Sequence, residues 1–172
     1  MKRLLTTEQI EGGVNRLAAE ILEYYAGQAL TIIGVLNGSI VLLADLIRRL
    51  DLPLRIGLVQ ASSYRGSATE PATLRVDLGM MPEILGRHVL LVDDIFDTGN
   101  TLAQLVAQLR EMGPASVRSA VLLRKHGRKA VPMEPDHVAF EIPNEFVVGY
   151  GLDYRDAYRN LPYVAVLDEE DM

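Results

Sequence analysis

Apolar residues recur at helical spacing through Ile10, Val14, Leu17, Ala18, Ile21, Leu22 and Tyr25, predicting an amphipathic helix with one buried face. Thr6 and Gln9 stand where a capping box would open it, and Gly27 offers a stop. Gly12 and Gly13 weaken its first turn. The period then changes. Residues 30–36 form a continuous apolar run, read as a buried strand; Asn37, Gly38 and Ser39 read as a turn. Residues 40–50 read as a helix ended before Pro53, and residues 54–60 as a second strand. The polar stretch 62–72, with its Gly and Pro, reads as a loop.

The clearest unit follows. Residues 89–92 read as a strand, 101–112 as a helix, Gly113 and Pro114 as a stop, and 117–123 as another strand. Strand, helix and strand at these lengths make a right-handed crossover, so the sheet is expected to be mainly parallel. Residues 124–129 read as a basic loop, residues 138–142, 146–148 and 163–167 as short strands, and 168–171 as a solvated acidic end. With no internal repeat or linker, residues 1–172 are expected to form one α/β domain, a Rossmann-like, mainly parallel sheet flanked by helices.

Composition narrows the function classes. A chain of 172 residues with 49% apolar and 23% charged residues is ordinary for a globular domain. Its net charge of −6 argues against nucleic-acid or anionic-membrane binding, which call for a basic surface. The absence of cysteine excludes disulfides, thiolate chemistry and Cys-ligated zinc. Met1-Lys-Arg-Leu-Leu begins like a signal peptide, but the apolar run ends at Thr6, too soon for an h-region. No run approaches the ~20 apolar residues that cross a bilayer, so a cytoplasmic protein is expected.

Residues 88–101 carry the chemistry. An apolar run ends in Asp93 and Asp94, and Asp97 opens the turn Thr98, Gly99, Asn100, Thr101 that leads into a helix. In doubly wound folds ligands gather where strand carboxyl ends meet helix amino termini, and the unpaired amides there favour an anion. No Lys-Ser or Lys-Thr pair follows, so the nest suits a monophosphate better than a nucleoside triphosphate. Carboxylates beside a phosphate call for ribose hydroxyls or Mg²⁺ between them. Taken singly, Asp97 could be a helix cap and the acid pair a strand-end turn. The ordered set points further. A phospho-acceptor receiver domain would place its acid pair after the first strand, which this chain does not do.

These residues resemble the phosphoribosyltransferase signature, in particular the 6-oxopurine (hypoxanthine-guanine) branch of the type I family. The resemblance also runs through residues 33–39, 61–64, 122–125 and 140–154, the last of which sets this branch apart from adenine, orotate and uracil enzymes. It implies the type I fold, with a small hood built from the chain termini and C-terminal segment. It further implies a homodimer or homotetramer and transfer of a phosphoribosyl group from 5-phosphoribosyl 1-diphosphate (PRPP) to a purine, releasing diphosphate.

The resemblance also implies roles. Asp93 and Asp94 would hold the ribose hydroxyls directly or through Mg²⁺, with Asp153 near the purine's 2-position and a second Mg²⁺. Asp97, Thr98, Gly99, Asn100 and Thr101 would wrap the 5-phosphate, and the Asp97 side chain would reach the purine N7. Leu36, Asn37, Gly38 and Arg159 would meet the diphosphate, Phe146 would stack on the base and the Val147 main chain would read its edge. Ser63 and Tyr64 would begin a loop that closes over the reacting centre. Lys125 would donate to the purine O6 and repel the amine of adenine, although composition alone reads residues 124–129 as a solvated loop. Many relatives carry Lys or Arg where this chain has Asn37, and many have a non-proline cis peptide in that loop. Alternatives are a preference for xanthine, an RNA-binding regulator on the same fold, disfavoured by the net charge of −6, and a silent phosphosugar-binding domain.

Overall fold

A computed structural model describes residues 1–64 and 73–168. Twelve elements follow in order: β1 (Lys2–Leu5), α1 (Thr7–Tyr25), β2 (Leu30–Leu36), α2 (Ile40–Ile47), β3 (Leu54–Tyr64), β4 (Thr73–Met80), β5 (His88–Phe96), α3 (Asn100–Glu111), β6 (Ser116–Lys125), β7 (His137–Ile142), β8 (Val147–Val148) and β9 (Val164–Val166). Six strands form one sheet in the order β4-β3-β2-β5-β6-β7. Every pairing in it is parallel except β3 with β4.

The predicted architecture is present, with α1 and α2 on one face and α3 on the other. Leu17, Ile21, Leu42 and Leu46 bury the first face against Ile32, Leu90 and Leu122. Leu102, Leu105 and Leu109 of α3 cover Ile33, Leu91 and Val121 on the second. Side chains of a strand alternate between faces, so apolar residues at both parities mark a sheet covered twice. This is why the central strands read as unbroken apolar runs.

α1 opens on the expected capping box: Thr6 Oγ1 accepts from the Gln9 amide at 3.2 Å, and Gln9 Oε1 accepts from the Thr6 amide at 2.8 Å. Gly13 has a packing reason, since a Cβ there would lie 2.1 Å from the Phe140 ring.

Several boundaries differ from expectation. Lys2–Leu5, read from sequence as no element, is a strand paired with β9. Together β1, β9 and β8 form the small three-stranded hood. β3 runs on to Tyr64, so Ser63 and Tyr64 are strand residues in register with Leu74 and Thr73, not loop. The remainder of the expected loop lies outside the described residues. β4 was not anticipated, because Thr73–Met80 alternates weakly and pairs only at the sheet edge. α2 stops at Ile47, and Arg124 and Lys125 finish β6 instead of entering a loop. Among the described residues no helix is long and apolar enough to cross a membrane.

Candidate active site

The order β3-β2-β5-β6 means that the chain leaves β2 in one direction and returns in β5 on its other side. That reversal splits the connecting loops apart at the carboxyl ends of β2 and β5 and opens a crevice there. A cavity of ≈ 450 Å³ fills the crevice. Leu36, Asn37 and Gly38 line it from β2, Asp93, Asp94, Asp97, Thr98, Gly99 and Thr101 from β5 and α3, and Asp153 and Arg159 from the hood. Gln60, beside Leu36 in register, also lines it. The peptide bond between Leu36 and Asn37 is cis. Asn100, by contrast, is not on the wall; its amide points to Thr98 Oγ1 at 3.4 Å.

The turn into α3 is built for close approach. Gly99 is the helix N-cap at φ 84°, a left-handed conformation that costs glycine least, and it supplies no side-chain cap. Thr101 and Leu102, whose first-turn amides an α-helix leaves unpaired, line the cavity. Asp97 is not the cap: its Oδ1 accepts from Arg128 Nε at 2.8 Å, and its Oδ2 lies 3.6 Å from Lys125 Nζ.

Asp93 is buried and Asp94, next to it, is half-buried. Asp93 Oδ1 accepts from the Asp94 amide at 2.9 Å. Burial, then the neighbouring Asp94 charge, pushes the Asp93 carboxyl well above the usual carboxylate range. Burial likewise raises Asp94, against the pull of backbone amides and Arg159. Asp94 is wedged against Gly38: a Cβ on Gly38 would stand 1.7 Å from Asp94 Oδ2.

A second cavity of ≈ 230 Å³ adjoins the first and shares Asp94, Ile95, Asp97 and Asp153 with it. Lys125, Phe146, Val147 and Leu152 complete its lining. Phe146 is 43% exposed, so it is no core residue, and its ring meets Tyr154 edge-on. The Lys125 side chain is only 11% exposed, unlike a solvated loop lysine.

The hood's contributors are tied down from below. Tyr150 Oη donates to Asp45 Oδ2 on α2 at 2.6 Å. Arg159 donates to the Gly151 carbonyl at 2.7 Å and pairs with Asp153 Oδ1 at 2.7 Å, while Asp153 Oδ2 accepts from the Asp156 amide at 2.9 Å. No group of three or more His, Asp or Glu side chains arranged for a metal occurs among the described residues. Thus the two adjoining cavities gather the expected residues apart from Asn100, while the side chains of Ser63 and Tyr64 lie outside what the structure describes. Arg128 and Gln60 were missed; the basic run marked the neighbourhood of Arg128, whereas Gln60 is an ordinary strand residue in sequence.

The chain is similar to proteins already known. The phosphoribosyl transferase domain model matches residues 1–155. The hypoxanthine-guanine phosphoribosyltransferase of Streptococcus pneumoniae is 41% identical over 98% of this chain and 94% of that protein. Among solved structures, a hypoxanthine phosphoribosyltransferase from Trypanosoma cruzi in a ternary substrates complex superposes with TM-score 0.93 at 39% identity, covering 99% and 97% of the two chains. A hypoxanthine-guanine phosphoribosyltransferase from Bacillus anthracis gives 0.89 at 35%, covering 96% of each. The matched domain model and these near full-length relatives, on this sheet order, make the chain a member of the phosphoribosyltransferase family, in its hypoxanthine-guanine branch.

Proposed function

We propose that this protein transfers the 5-phosphoribosyl group of PRPP to hypoxanthine or guanine, giving the nucleoside monophosphate and diphosphate. The observation that carries the reading is the pair of cavities sharing Asp94, Ile95, Asp97 and Asp153. One offers amides and hydroxyls to a phosphosugar; the other offers a base the side chains of Lys125, Phe146 and Leu152.

In the reaction the anomeric C–O bond breaks and its electron pair leaves with diphosphate. The purine N9 lone pair forms the new C–N bond, and the N7 proton passes to Asp97. Asp97 lies on the wall common to both cavities, where a group must stand to serve base and ribose together. Thr98, Gly99 and Thr101, with the α3 amides, hold the 5-phosphate. Leu36, Asn37, Gly38 and Arg159 meet the diphosphate, Phe146 stacks on the base, and the Val147 main chain reads its edge. Lys125 donates to O6, an acceptor in 6-oxopurines and a donor amine in adenine, and so selects against adenine.

Asp93 and Asp94 fit a Mg²⁺ ion. Two adjacent carboxyls, one buried and one half-buried and each harder to ionise than usual, are the donor set that a hard cation relieves, and Mg²⁺ commonly takes one or two carboxylates plus substrate oxygens. Bound there, it would neutralise charge on the departing diphosphate. Asp153 fits a second ion less readily, since Arg159 and the Asp156 amide already hold its oxygens. A homodimer or homotetramer in the cytoplasm completes the reading.

The test is diphosphate release from PRPP with Mg²⁺ against hypoxanthine, guanine, xanthine, adenine and uracil. Hypoxanthine or guanine should be the best acceptor, and Asp97→Asn should slow turnover by about 10²–10⁴-fold. Adenine or uracil as sole acceptor would overturn the branch, and no release with any base would overturn the reaction.

A further inference from the structure

The basic segment after β6 is used by the reaction only through Lys125, yet the segment's next turn presses on the phosphate-binding turn at three points. Arg128 Nε donates to Asp97 Oδ1 at 2.8 Å. The Ala130 amide donates to the Thr98 carbonyl at 2.9 Å. Val131 packs where Gly99 lacks a side chain: a Cβ there would lie 2.6 Å from Val131 Cγ2. We propose that Arg128 is a positioning residue whose guanidinium fixes the Asp97 carboxylate at the junction of the two cavities.

This inference rests on the reading of Asp97 as the proton acceptor for the base. A carboxylate at a strand end turns about two side-chain bonds, and only some settings aim it at a base. Arg128 holds one oxygen, while Lys125, from the opposite side, stands 3.6 Å from the other. The two oxygens thus have different partners, which defines the carboxylate plane. Arg128 is the partner to act on orientation, because Lys125 is needed by the base itself. Its side chain is half exposed, so truncating it opens no cavity in the core. The neighbouring cations are committed elsewhere: Arg124 and Lys129 both pair with Glu134, and Arg124 also pairs with Glu141.

The experiment is a double-mutant cycle with Arg128→Ala and Asp97→Asn, plus Arg128→Lys and the control Lys129→Ala, each checked by thermal melting. Arg128→Ala should lower kcat by about 10–100-fold, the scale of a misplaced catalytic group, with the KM for PRPP little changed. Arg128→Lys should recover part of that loss, and Lys129→Ala should match the parent. In the Asp97→Asn background, Arg128→Ala should cost nothing further. An equal loss in both backgrounds, or a raised KM for PRPP with kcat intact, would overturn the proposal by showing that Arg128 acts on another group. A slow Asp97→Asn with a normal Arg128→Ala sinks this inference alone, whereas a normal Asp97→Asn sinks the reading of Asp97 and this inference with it.

Discussion

The central sheet gathers polar side chains along two rims, the edge formed by the amino ends of its strands and the edge formed by their carboxyl ends, and treats them differently. At the amino ends of β6 and β7, opposite charges meet within the protein. Arg118 stands 3.3 Å from Asp136 and lies over the Tyr24 ring at 3.9 Å, and Asp136 also accepts from the Ser119 amide at 2.8 Å. His137, held neutral near pH 7 by burial and the Arg118 charge, has its Nδ1 3.6 Å from Glu20 Oε2. What this edge lacks is hydrogen bonds: Tyr25 Oη, Arg118 Nε and His137 Nε2 find no such partner among the described residues. At the carboxyl ends of β2 and β5 the shortage is of countercharge. Asp93 and Asp94 are two acids in contact, each harder to ionise than usual, and Arg159, the cation whose field reaches Asp94, is already bound to Asp153. Buried charge without a partner is costly. One edge is arranged for the fold, the other for a ligand that brings the missing charge.

The sharpest way to break the comparison is to crowd the ligand-seeking edge. Gly38→Ala places a Cβ 1.7 Å from Asp94 Oδ2 and 2.4 Å from its Cγ, so Asp94 must move. Turnover should fall to background in the diphosphate-release assay. Overpacking should also remove about 1–3 kcal/mol of stability by denaturant titration. An active Gly38→Ala enzyme would show that the Asp94 position is not needed.

Neutralising the acid pair should act in the opposite direction on stability. Asp93 is harder to ionise folded than unfolded, so the folded chain holds more protons between the usual carboxylate range and the raised value. Its burial therefore costs nothing below that window and most above it. Asp93→Asn keeps the oxygen that accepts from the Asp94 amide. It should melt higher than the parent near neutral pH, by about 2–4 °C for each kcal/mol relieved, with the gap closing toward about pH 4. A lower melting point at neutrality would mean that the pair is already compensated. Activity should be lost in either case.

The smallest effect belongs to the far edge. Burial, and then the Arg118 charge, holds His137 below the ordinary imidazole range. The unfolded chain then binds the extra proton first, so stability falls as pH drops below about 6.5. His137→Gln should flatten that fall by about 2–4 °C in melting temperature between about pH 7 and 5. A variant whose melting curve tracks the parent at every pH would exclude His137 as the titrating group.

Periodicity carried most of the fold because the central strands are covered on both faces and the helices on one. Leu30–Leu36 matched its predicted strand residue for residue, and α1 opened on the Thr6–Gln9 box. What failed was governed by partners distant in sequence. Lys2–Leu5 is a strand only because Val164–Val166 lies beside it, and Thr73–Met80 only because β3 runs long. In the site, the motif after β5 was readable because its chemistry is local. Arg128 was not, because its role depends on a contact 31 residues away, with Asp97.

The common wall of the two cavities has a pharmacological consequence. Asp94, Ile95, Asp97 and Asp153 face both hollows, so an occupant of one becomes part of the boundary seen by the other. A flat heteroaromatic fragment tethered by a short arm to an anionic group would engage the second compartment as an intramolecular event. Such a bivalent inhibitor should exceed either fragment by about 10²–10⁴-fold without a single new contact, provided its arm spans the distance between the two compartments.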